Sequence, residues 1–371
     1  MVKLFMARQI TATHFRLRLC GLAVSSALAL SSSWCAAATD TLVVTAGGGQ
    51  DPHNTVAPYV NSATKSAVPE SRTPQTIDSI SQQEIALRHA NSLNEILRYD
   101  AGVSTELRGS TTYMSEYKIR GFEAEHEYYD GLELPYNVSG NTKANIDPIL
   151  IDKVDILKGP SSVLYGNASP GGLVNIQGKK PQPVQSTDAG FTTGNRGLKE
   201  GYIDTTGPIA DSDWDYRLIA KGSEGNDQAV TTKHESYLIA PSVSWRPDDQ
   251  TRLTLDALYQ NQPSLTPSNP LPLAYLRSGY ASRRAYAGDR WHGFRQREGM
   301  LGHRFEHQSD SGWGVVPKAR YFRVDTQPKR IYATGNGSRD TQLSRVGSCT
   351  EYGMQSTNID KHVTQIGHLE G

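Results

Sequence analysis

The feature that most constrains the fold is an alternation of apolar and polar residues, with a period of two, that recurs after residue 182. The stretches "DWDYRLIAKG", "SYLIAPSVSW" and "TRLTLDALYQ" each show it, and no helical pattern separates them. Successive side chains of a β-strand point to opposite faces, so the pattern predicts antiparallel strands with one apolar and one polar face. The residues predicted on the apolar face are Trp214, Tyr216, Leu218, Ala220, Tyr237, Ile239, Val243, Trp245, Leu253, Leu255, Ala257 and Tyr259.

The connections between these stretches are of two kinds. Residues 247–250 and 309–312 form short turns, whereas a connection rich in Pro, Ser, Arg and Tyr runs from Asn261 to about His292. Barrels of the bacterial outer membrane have short turns on the periplasmic side and longer loops outside. The pattern therefore favours a transmembrane barrel, with a soluble β-sandwich as the alternative.

The N-terminus has the composition of a secretory signal peptide. Basic residues, with no acidic residue before Asp40, accompany the apolar stretch "LCGLAVSSALALSSSWCAAA", which ends in three small residues. That stretch is short for a membrane span and is interrupted by serines, which argues against the alternative of a membrane anchor. We predict residues 1–38 as a signal peptide cleaved near Ala38. Cleavage leaves Cys349 as the only cysteine, so the mature chain cannot form an internal disulfide.

Charge and motif content argue against several classes of function. The 38 Lys and Arg residues balance 38 Asp and Glu residues, and loss of residues 1–38 leaves 34 basic against 38 acidic residues, a net charge of −4. Such a balance gives no electrostatic case for binding nucleic acid. The ten histidines show no metal-site spacing, and no Ser–His–acid frame or paired-carboxylate motif stands out. We expect no catalytic residue, metal or cofactor, and predict that the chain is not an enzyme.

The region before the alternating strands is predicted as a flexible arm, residues 39–70, followed by a small α+β domain, residues 71–181. Ser81, with Glu84 three residues later, has the pattern of a helix N-terminus, and a second short helix is predicted over Leu93–Leu97. Strand-like stretches follow as "EYKIRGF", "EYYDGLEL", "KVDILKG" and "GGLVNIQG".

Glycines are concentrated in "IDKVDILKGPSSVLYGNASPGGLVNIQGKKP", residues 151–181. A phosphate-binding loop requires a lysine where this stretch has Asn167, and the dinucleotide fingerprint G-x-G-x-x-G is absent. We therefore predict that the glycines serve tight turns with positive φ and close backbone approaches between short strands.

The same stretch resembles the plug domain of TonB-dependent outer-membrane receptors. Further segments resemble that family in the expected order: "DTLVVTA", "TPQTIDSISQQEI", "LNEILRYDAGVSTELRG" and "YKIRGFEAEHEYYDGLEL". The resemblance is close from residue 40 to about 181 and looser in the strands that follow. Within the family, the chain is most similar to receptors for ferric hydroxamate siderophores of the ferrichrome, coprogen and ferrioxamine type.

The resemblance implies an α+β plug domain followed by an antiparallel transmembrane β-barrel, about 22 strands in this family, that encloses the plug. It implies uptake of a ferric siderophore across the outer membrane, with membrane lipid around the barrel and energy from TonB and its ExbB–ExbD complex. An extended TonB box can add as a strand to the edge of a sheet in TonB. Its residues here are Thr41, Leu42, Val43, Val44, Thr45 and Ala46.

The resemblance also suggests individual roles in the plug. The siderophore wraps its own iron, so the protein supplies aromatic walls and hydrogen-bond donors rather than iron ligands. The residues expected at the ligand are Arg108, His126, Glu127 and Tyr136. Arg120 and Lys158 are expected as charges buried between plug and barrel, paired with glutamates of barrel strands. The remaining structural motif residues are Gly121, Gly159, Gly166, Gly171 and Gly172.

The chain departs from the family pattern in the length of its strand region. Residues 182–371 hold about seven or eight predicted strands, too few to enclose a plug, and the chain ends "VTQIGHLEG" without a terminal aromatic residue. Unpaired sheet edges in lipid cost several kcal/mol for each buried backbone group. We expect an incomplete barrel, either a fragment of a longer receptor or a truncated gene product without transport activity. The alternative is a periplasmic or secreted plug-like module that binds ferric siderophore without transporting it.

Overall fold

The computed structural model describes two packed parts, a small mixed domain and a large antiparallel sheet. The described residues are 59–60, 62, 68–69, 75–107, 115–137, 142–166, 168–227, 232–266, 271, 273–277, 287–288, 291–336 and 343–365. No helix among these residues is long and apolar enough to cross a membrane.

The N-terminal part, the plug, combines short helices with three small sheets. Its strands are β1 (Tyr59–Val60), β2 (Val68–Pro69), β3 (Thr76–Ser81), β4 (Val103–Thr105), β5 (Tyr117–Ile119), β6 (Phe122–Glu123), β7 (Glu127–Tyr129), β8 (Leu132–Glu133), β9 (Ile151–Lys158) and β10 (Gly172–Gly178). Its helices are α1 (Gln82–Leu87), α2 (Leu93–Leu97), a 3₁₀ turn (Pro148–Leu150) and α3 (Ser162–Tyr165). The main sheet has the order β3–β9–β10–β7–β8, and within it only the β10–β7 pair is parallel.

The two predicted plug helices are confirmed, and each begins at a serine cap. The Ser81 hydroxyl accepts a hydrogen bond from the backbone N–H of Glu84, and the Ser92 hydroxyl accepts one from Glu95, both at 3.3 Å. The Glu95 carboxylate in turn accepts from the backbone N–H of Asn91 at 2.7 Å. These bonds satisfy amide groups that have no partner within a helix, so the caps explain where both helices begin.

The C-terminal part is a nine-stranded antiparallel sheet. Its strands are β11 (Ser186–Thr193), β12 (Lys199–Pro208), β13 (Trp214–Asn226), β14 (Lys233–Trp245), β15 (Thr251–Leu265), β16 (Gly293–Gln308), β17 (Trp313–Asn336), β18 (Leu343–Cys349) and β19 (Tyr352–Gln365). Neighbours in the chain pair in order from β11 to β18, and β19 also pairs with β17. The strands β18 and β19 both pair with β17, one after the other along its length. The sheet is therefore eight strands wide.

The connections of this sheet fall at its two ends. Residues 209–213, 246–250 and 309–312 close one end, which we call the short-turn end. The opposite end holds the 27-residue connection 266–292, which contains α4 (Leu273–Arg277). That connection begins five residues later than predicted, because β15 continues its pairing with β16 to Leu265.

The large sheet has its polar face inside and its apolar face outside, as the alternation predicts. Ile219, Leu238 and Phe322 join the plug residues Ile96 and Val174 in one buried cluster. Among the inward-facing side chains, many are polar and nevertheless buried against the plug: Asp204, Arg217, Gln260, Gln262, Gln296, Glu298, Arg320 and Thr326. Outward-facing apolar side chains remain exposed: Ile203, Tyr237, Ile239, Leu255, Tyr259, Leu301, Tyr321 and Ile359.

The exposed apolar face forms a continuous band along β17. Along β17 it runs from Trp313 to Tyr321, a rise of about 27 Å along the strand. The exposed Arg323 follows at the next outward position. At the short-turn end Trp214 lies opposite Trp245, with ring centroids 6.4 Å apart. An apolar band about 25 Å tall with aromatic residues at its borders is typical of sheets that cross the outer membrane.

Candidate functional site

Two tight turns position the polar residues of the plug. Arg120–Gly121 joins β5 to β6 with φ of 51° and 85°, and Asp130–Gly131 joins β7 to β8 with φ of 52° and 76°. Two central residues with positive φ are typical of a type I′ hairpin, whose twist matches that of the strands. Both turns therefore have a local sequence explanation, since the second central residue of each is a glycine.

A hydrogen-bonded chain of three side chains lies around the β7–β8 hairpin. His126 Nδ1 lies 2.5 Å from Glu133 Oε1, and its Nε2 lies 3.3 Å from the Tyr136 hydroxyl. The His126 and Tyr136 rings meet edge to face with centroids 4.6 Å apart. Burial, with smaller effects of the charges of Glu125 and Glu133, raises the pKa of Tyr136, so its hydroxyl stays protonated at neutral pH.

Behind these three hydrogen-bonded side chains, a buried lysine joins three segments of the plug. The Lys143 ammonium lies 2.6 Å from the Glu127 carboxylate, and both side chains are less than one-tenth exposed. It also donates to the backbone oxygen of Ser115 at 3.1 Å and lies 5.3 Å from the centroid of the Tyr117 ring. Tyr136 pairs with Lys143 as an isolated β-bridge. Lys143 thereby supports the backbone from which Tyr136 projects.

The segment from Thr142 to Asn145 is attached to three strands of the large sheet. The bonds are Thr142 hydroxyl with Thr326 hydroxyl (2.8 Å), Gln296 Nε2 to Lys143 O (2.9 Å), Asn145 N to Glu298 Oε1 (2.8 Å) and Gln260 Nε2 to Asn145 O (3.0 Å). The strands concerned are β15, β16 and β17. Buried polar groups need such partners, so these contacts specify how the plug lies against the sheet.

A second attachment surrounds the β7–β8 turn, nearer the short-turn end. The Asp130 carboxylate lies 2.7 Å from the Lys180 ammonium and 3.0 Å from the Arg320 guanidinium of β17. Arg320 also donates to Tyr129 O, and Lys318 donates to Asp130 O at 2.7 Å. Burial alone would raise the pKa of Asp130, but the positive charges of Lys180 and Arg320 outweigh it and hold that pKa below the usual range.

One residue of the N-terminal arm is fixed in the plug interior. The Ser62 hydroxyl donates to the fully buried Asp155 carboxylate and accepts from Asn175 Nδ2 at 2.7 Å. The Ser62 carbonyl oxygen accepts from the Tyr165 hydroxyl at 2.7 Å. Asp155 also accepts from the Ser79 hydroxyl of β3, so one carboxylate connects the arm with the first strand of the main plug sheet.

Comparison with known proteins agrees with this architecture. Residues 69–173 match the family model described as TonB-dependent Receptor Plug Domain. The chain belongs to the TonB-dependent receptors. It is 31% identical over 351 residues to the ferrichrome outer membrane transporter/phage receptor of Escherichia coli strain K12, covering 89% of this chain and 47% of that protein. It is 29% identical over 333 residues to the ferrioxamine B receptor of Salmonella typhimurium strain LT2, covering 87% and 46% respectively.

Solved structures of TonB-dependent receptors share the fold. The pyoverdine outer membrane receptor FpvA from Pseudomonas aeruginosa PAO1 superposes with a TM-score of 0.77 at 20% identity, over 87% of this chain and 48% of that one. The ferric-catecholate import receptor Fiu from E. coli K12 superposes with a TM-score of 0.70 at 22% identity, over 83% and 50%. The chain thus spans about half the length of the relatives it matches.

Several predicted segments and residues lie outside the described part of the chain. These are the signal peptide, residues 1–38, the TonB box, residues 41–46, and Arg108. Among the other expected ligand residues, the structure brings His126 and Tyr136 together. Glu127 is expected at the ligand, but its carboxylate is 3% exposed and paired with Lys143, so it anchors the receptor plug from within.

The expectation for Arg120 and Lys158 needs correction. Arg120 is exposed, because it occupies a hairpin turn rather than the plug–sheet boundary. Lys158 is buried, but its partners belong to the plug: it pairs with Asp78 and with Asp100, the latter at 2.6 Å. Plug–sheet ion pairs among the described residues are instead formed by Asp130 with Arg320 and by Asp147 with Lys221, with the carboxylate on the plug and the cation on a strand of the large sheet.

The structural prediction for the glycines is confirmed. A Cβ atom on Gly171 would lie 2.1 Å from Ile119 O, and one on Gly172 would lie 2.0 Å from Leu157 O. Real Cβ atoms do not approach a backbone oxygen so closely, so the receptor plug needs glycine there. The other members of the set have positive φ: Gly121, Gly159 and Gly166.

Sequence reasoning missed the residues that attach the receptor plug to its surroundings, namely Lys143, Asp155 and Arg320. The sequence does contain a pattern that indicates which residues of the large sheet make such contacts. In a strand whose outward residues are apolar, polar residues at inward positions, such as Asp256 and Gln260 in "LTLDALYQ", indicate a polar partner inside. Nothing comparable in the sequence identifies which plug residue each of them meets.

Proposed function

We propose that this chain is part of a receptor for TonB-dependent uptake of a ferric hydroxamate-type siderophore across the bacterial outer membrane. The observation that carries the proposal is a plug bound through buried polar groups to a sheet whose opposite face is apolar and exposed. The names of two relatives, a ferrichrome transporter and a ferrioxamine B receptor, support the ligand class.

In this proposal the ligand meets the plug at Tyr136, with His126 behind it and Arg108 as a further contact. The ferric siderophore carries its iron within its own oxygen ligands, so the receptor needs hydrogen-bonding groups and an aromatic wall. Tyr136 supplies both, since its half-buried ring leaves part of the side chain accessible. No group of three or more His, Cys, Asp or Glu side chains in the described residues is arranged to hold a metal ion.

Energy coupling and location complete the proposal. Removal of residues 1–38 near Ala38 would deliver the chain to the periplasm, and the apolar sheet face would then contact outer-membrane lipid. The TonB box, residues 41–46, would add as a β-strand to TonB, which draws energy through the ExbB–ExbD complex. The segment is rich in β-branched residues, which favour extended structure.

A soluble siderophore-binding module is not favoured. Leu301 and Ile359 on the outer face of the sheet are 63% and 69% exposed, and they belong to an apolar face that extends over several strands. An exposed apolar surface of that kind is typical of membrane or protein contact rather than of contact with water.

The test is uptake of radioactive iron by a bacterial strain without its own hydroxamate receptors. The strain expresses the gene product that contains this chain and is supplied with ferrichrome, ferrioxamine B or coprogen. We expect uptake of at least one ferric complex, and loss of that uptake when TonB is deleted. Inserted protein that binds none of the three complexes would contradict the proposed ligand class, and uptake without TonB would contradict the coupling.

A further inference from the structure

We propose that Glu133 and His126 control the hydrogen-bonding direction of Tyr136, so that binding of a ferric siderophore raises the fraction of His126 that carries a proton. This inference rests on the proposed function and adds a positioning role for Glu133, which no sequence motif indicates. The geometry that carries it is the chain Glu133 Oε1, His126 Nδ1, His126 Nε2 and Tyr136 hydroxyl, with separations of 2.5 Å and 3.3 Å.

When His126 is neutral, Tyr136 can only accept hydrogen bonds from a ligand. A carboxylate accepts hydrogen bonds only, so the contact with Glu133 places the imidazole hydrogen on Nδ1. The Nε2 atom of His126 then has a lone pair and accepts the hydrogen of the Tyr136 hydroxyl. In this state the phenol oxygen offers only lone pairs to a ligand.

Protonation of the imidazole reverses the second hydrogen bond. When His126 gains a proton on Nε2, that nitrogen donates to the Tyr136 oxygen, and the phenol hydrogen turns away from the ring. Tyr136 then becomes a donor toward a ligand. The Glu133 carboxylate stabilises the charged imidazole through a charge-assisted hydrogen bond.

The ligand chemistry selects the donor state. A ferric hydroxamate presents the oxygen atoms that coordinate its iron, and these carry partial negative charge and accept hydrogen bonds. A Tyr136 that faced them with lone pairs would repel them, so the complex is tighter when His126 is protonated. By linkage, a ligand that prefers the protonated form draws a proton from solvent when it binds.

The surroundings are suited to this exchange. His126 is 9% exposed, so its hydrogen bonds are shielded from water, whereas Glu133 and Tyr136 are partly exposed and communicate with solvent. From the large sheet, the Asn358 amide donates to the backbone oxygen of Glu133 and leaves its carboxylate available to His126. The nearby Glu127 and Lys143 neutralise each other, and Glu125 on the preceding loop is exposed.

The experiment is titration calorimetry of the membrane-inserted gene product with ferrichrome and ferrioxamine B. Each titration is made in two buffers of different ionisation enthalpy, from about pH 5.5 to about pH 8, the range in which histidines titrate. The difference in binding enthalpy between buffers gives the number of protons taken up. We expect uptake of a fraction of one proton that changes with pH, and tighter binding at the acidic end.

Three variants and one control assign the proton. His126→Gln keeps hydrogen-bonding capacity without titrating, so proton uptake should fall to zero and the affinity should lose its pH dependence. Tyr136→Phe should also abolish uptake and weaken binding about tenfold at acidic pH, the effect of losing one hydrogen bond. Glu133→Gln should reduce uptake. The control, Glu123→Gln, removes an exposed carboxylate that pairs with Lys118 at 3.7 Å and should leave the proton count unchanged.

The outcomes separate this inference from the proposed function. If the unmodified protein binds neither ferric complex, the proposed ligand class fails and the inference fails with it. If it binds them without proton uptake, or if His126→Gln takes up as many protons as the unmodified protein, the ligand class stands and the proposed coupling of binding to protonation of His126 is wrong.

Discussion

Asp130 and Arg320 lie 190 positions apart in the chain and form a buried ion pair, with a carboxylate oxygen 3.0 Å from a guanidinium nitrogen. Asp130 occupies the turn of a plug hairpin, and Arg320 projects inward from β17. The pair therefore joins the two parts of the receptor directly. Lys180 completes it by contacting the same carboxylate at 2.7 Å.

Removing the charge of one member of this ion pair should strongly destabilise the protein. Asp130→Asn leaves Arg320 and Lys180 without their anionic partner in a buried environment, and such substitutions typically cost about 3–5 kcal/mol. The measurement is the free energy of unfolding of the detergent-solubilised protein by urea. Asp188→Asn serves as the control, since Asp188 lies on the exposed strand β11. An Asp130→Asn protein as stable as the control protein would show that the ion pair does not hold the plug.

The stability contributed by Asp130 should depend on pH. Its pKa in the folded protein lies below the ordinary aspartate range, so the unfolded chain takes up a proton at a higher pH than the folded protein does. The contribution is therefore complete above the unfolded pKa, about 4, and is lost as pH falls further. Comparing urea unfolding at about pH 6 and about pH 3, the unmodified protein should lose more stability than Asp130→Asn. Equal losses would contradict the assignment.

The Ser62 contacts should keep the N-terminal arm against the plug. Ser62→Ala removes the hydroxyl that bonds to Asp155 and Asn175, so brief release of the arm should become roughly tenfold more frequent. Limited proteolysis measures this as faster cleavage between residues 47 and 75. Ser79→Ala is the matched control, because it removes another bond to Asp155 but leaves Ser62 in place. Equal cleavage rates in the two variants would mean that Ser62 does not retain the arm.

Two glycines with positive φ should differ in their tolerance of alanine. At Gly172, where φ is 135°, the added Cβ would lie 2.0 Å from Leu157 O, whereas at Gly121 nothing lies within 4 Å. Gly121→Ala should cost about 1–2 kcal/mol, the strain of a left-handed residue. Gly172→Ala should cost more and prevent normal folding of the plug, seen as loss of protease resistance. Similar stabilities would show that β9 and β10 are not this close.

Val43→Pro should abolish uptake of ferric siderophore while leaving its binding intact. Proline removes a backbone N–H and cannot extend the ladder of a sheet, so strand addition to TonB would fail. The measurement compares uptake of radioactive iron with equilibrium binding on the same cells. Val43→Ala, which retains the backbone N–H, is the control and should transport. Continued uptake by Val43→Pro would reject residues 41–46 as the TonB box.

The sequence by itself determined the features that depend on near neighbours. The alternation around Trp214 and Tyr259 predicts strands, and the capping pattern of Ser81 and Glu84 predicts the start of the first plug helix. Each follows from the dihedral preferences of a few adjacent residues or from the period of side-chain directions. For the same reason the glycines of residues 151–181 could be interpreted correctly without knowledge of the fold.

Only the tertiary structure decided which polar residues meet. Lys158 and Glu127 look like charges available to a barrel strand or a ligand, yet they pair inside the plug with Asp100 and Lys143. A charged side chain has many complementary partners in the sequence, and the energy of each pairing depends on burial and distance. Those quantities are set when the strands of the sheet adopt their register and the plug packs against the inward face, so no local pattern contains them.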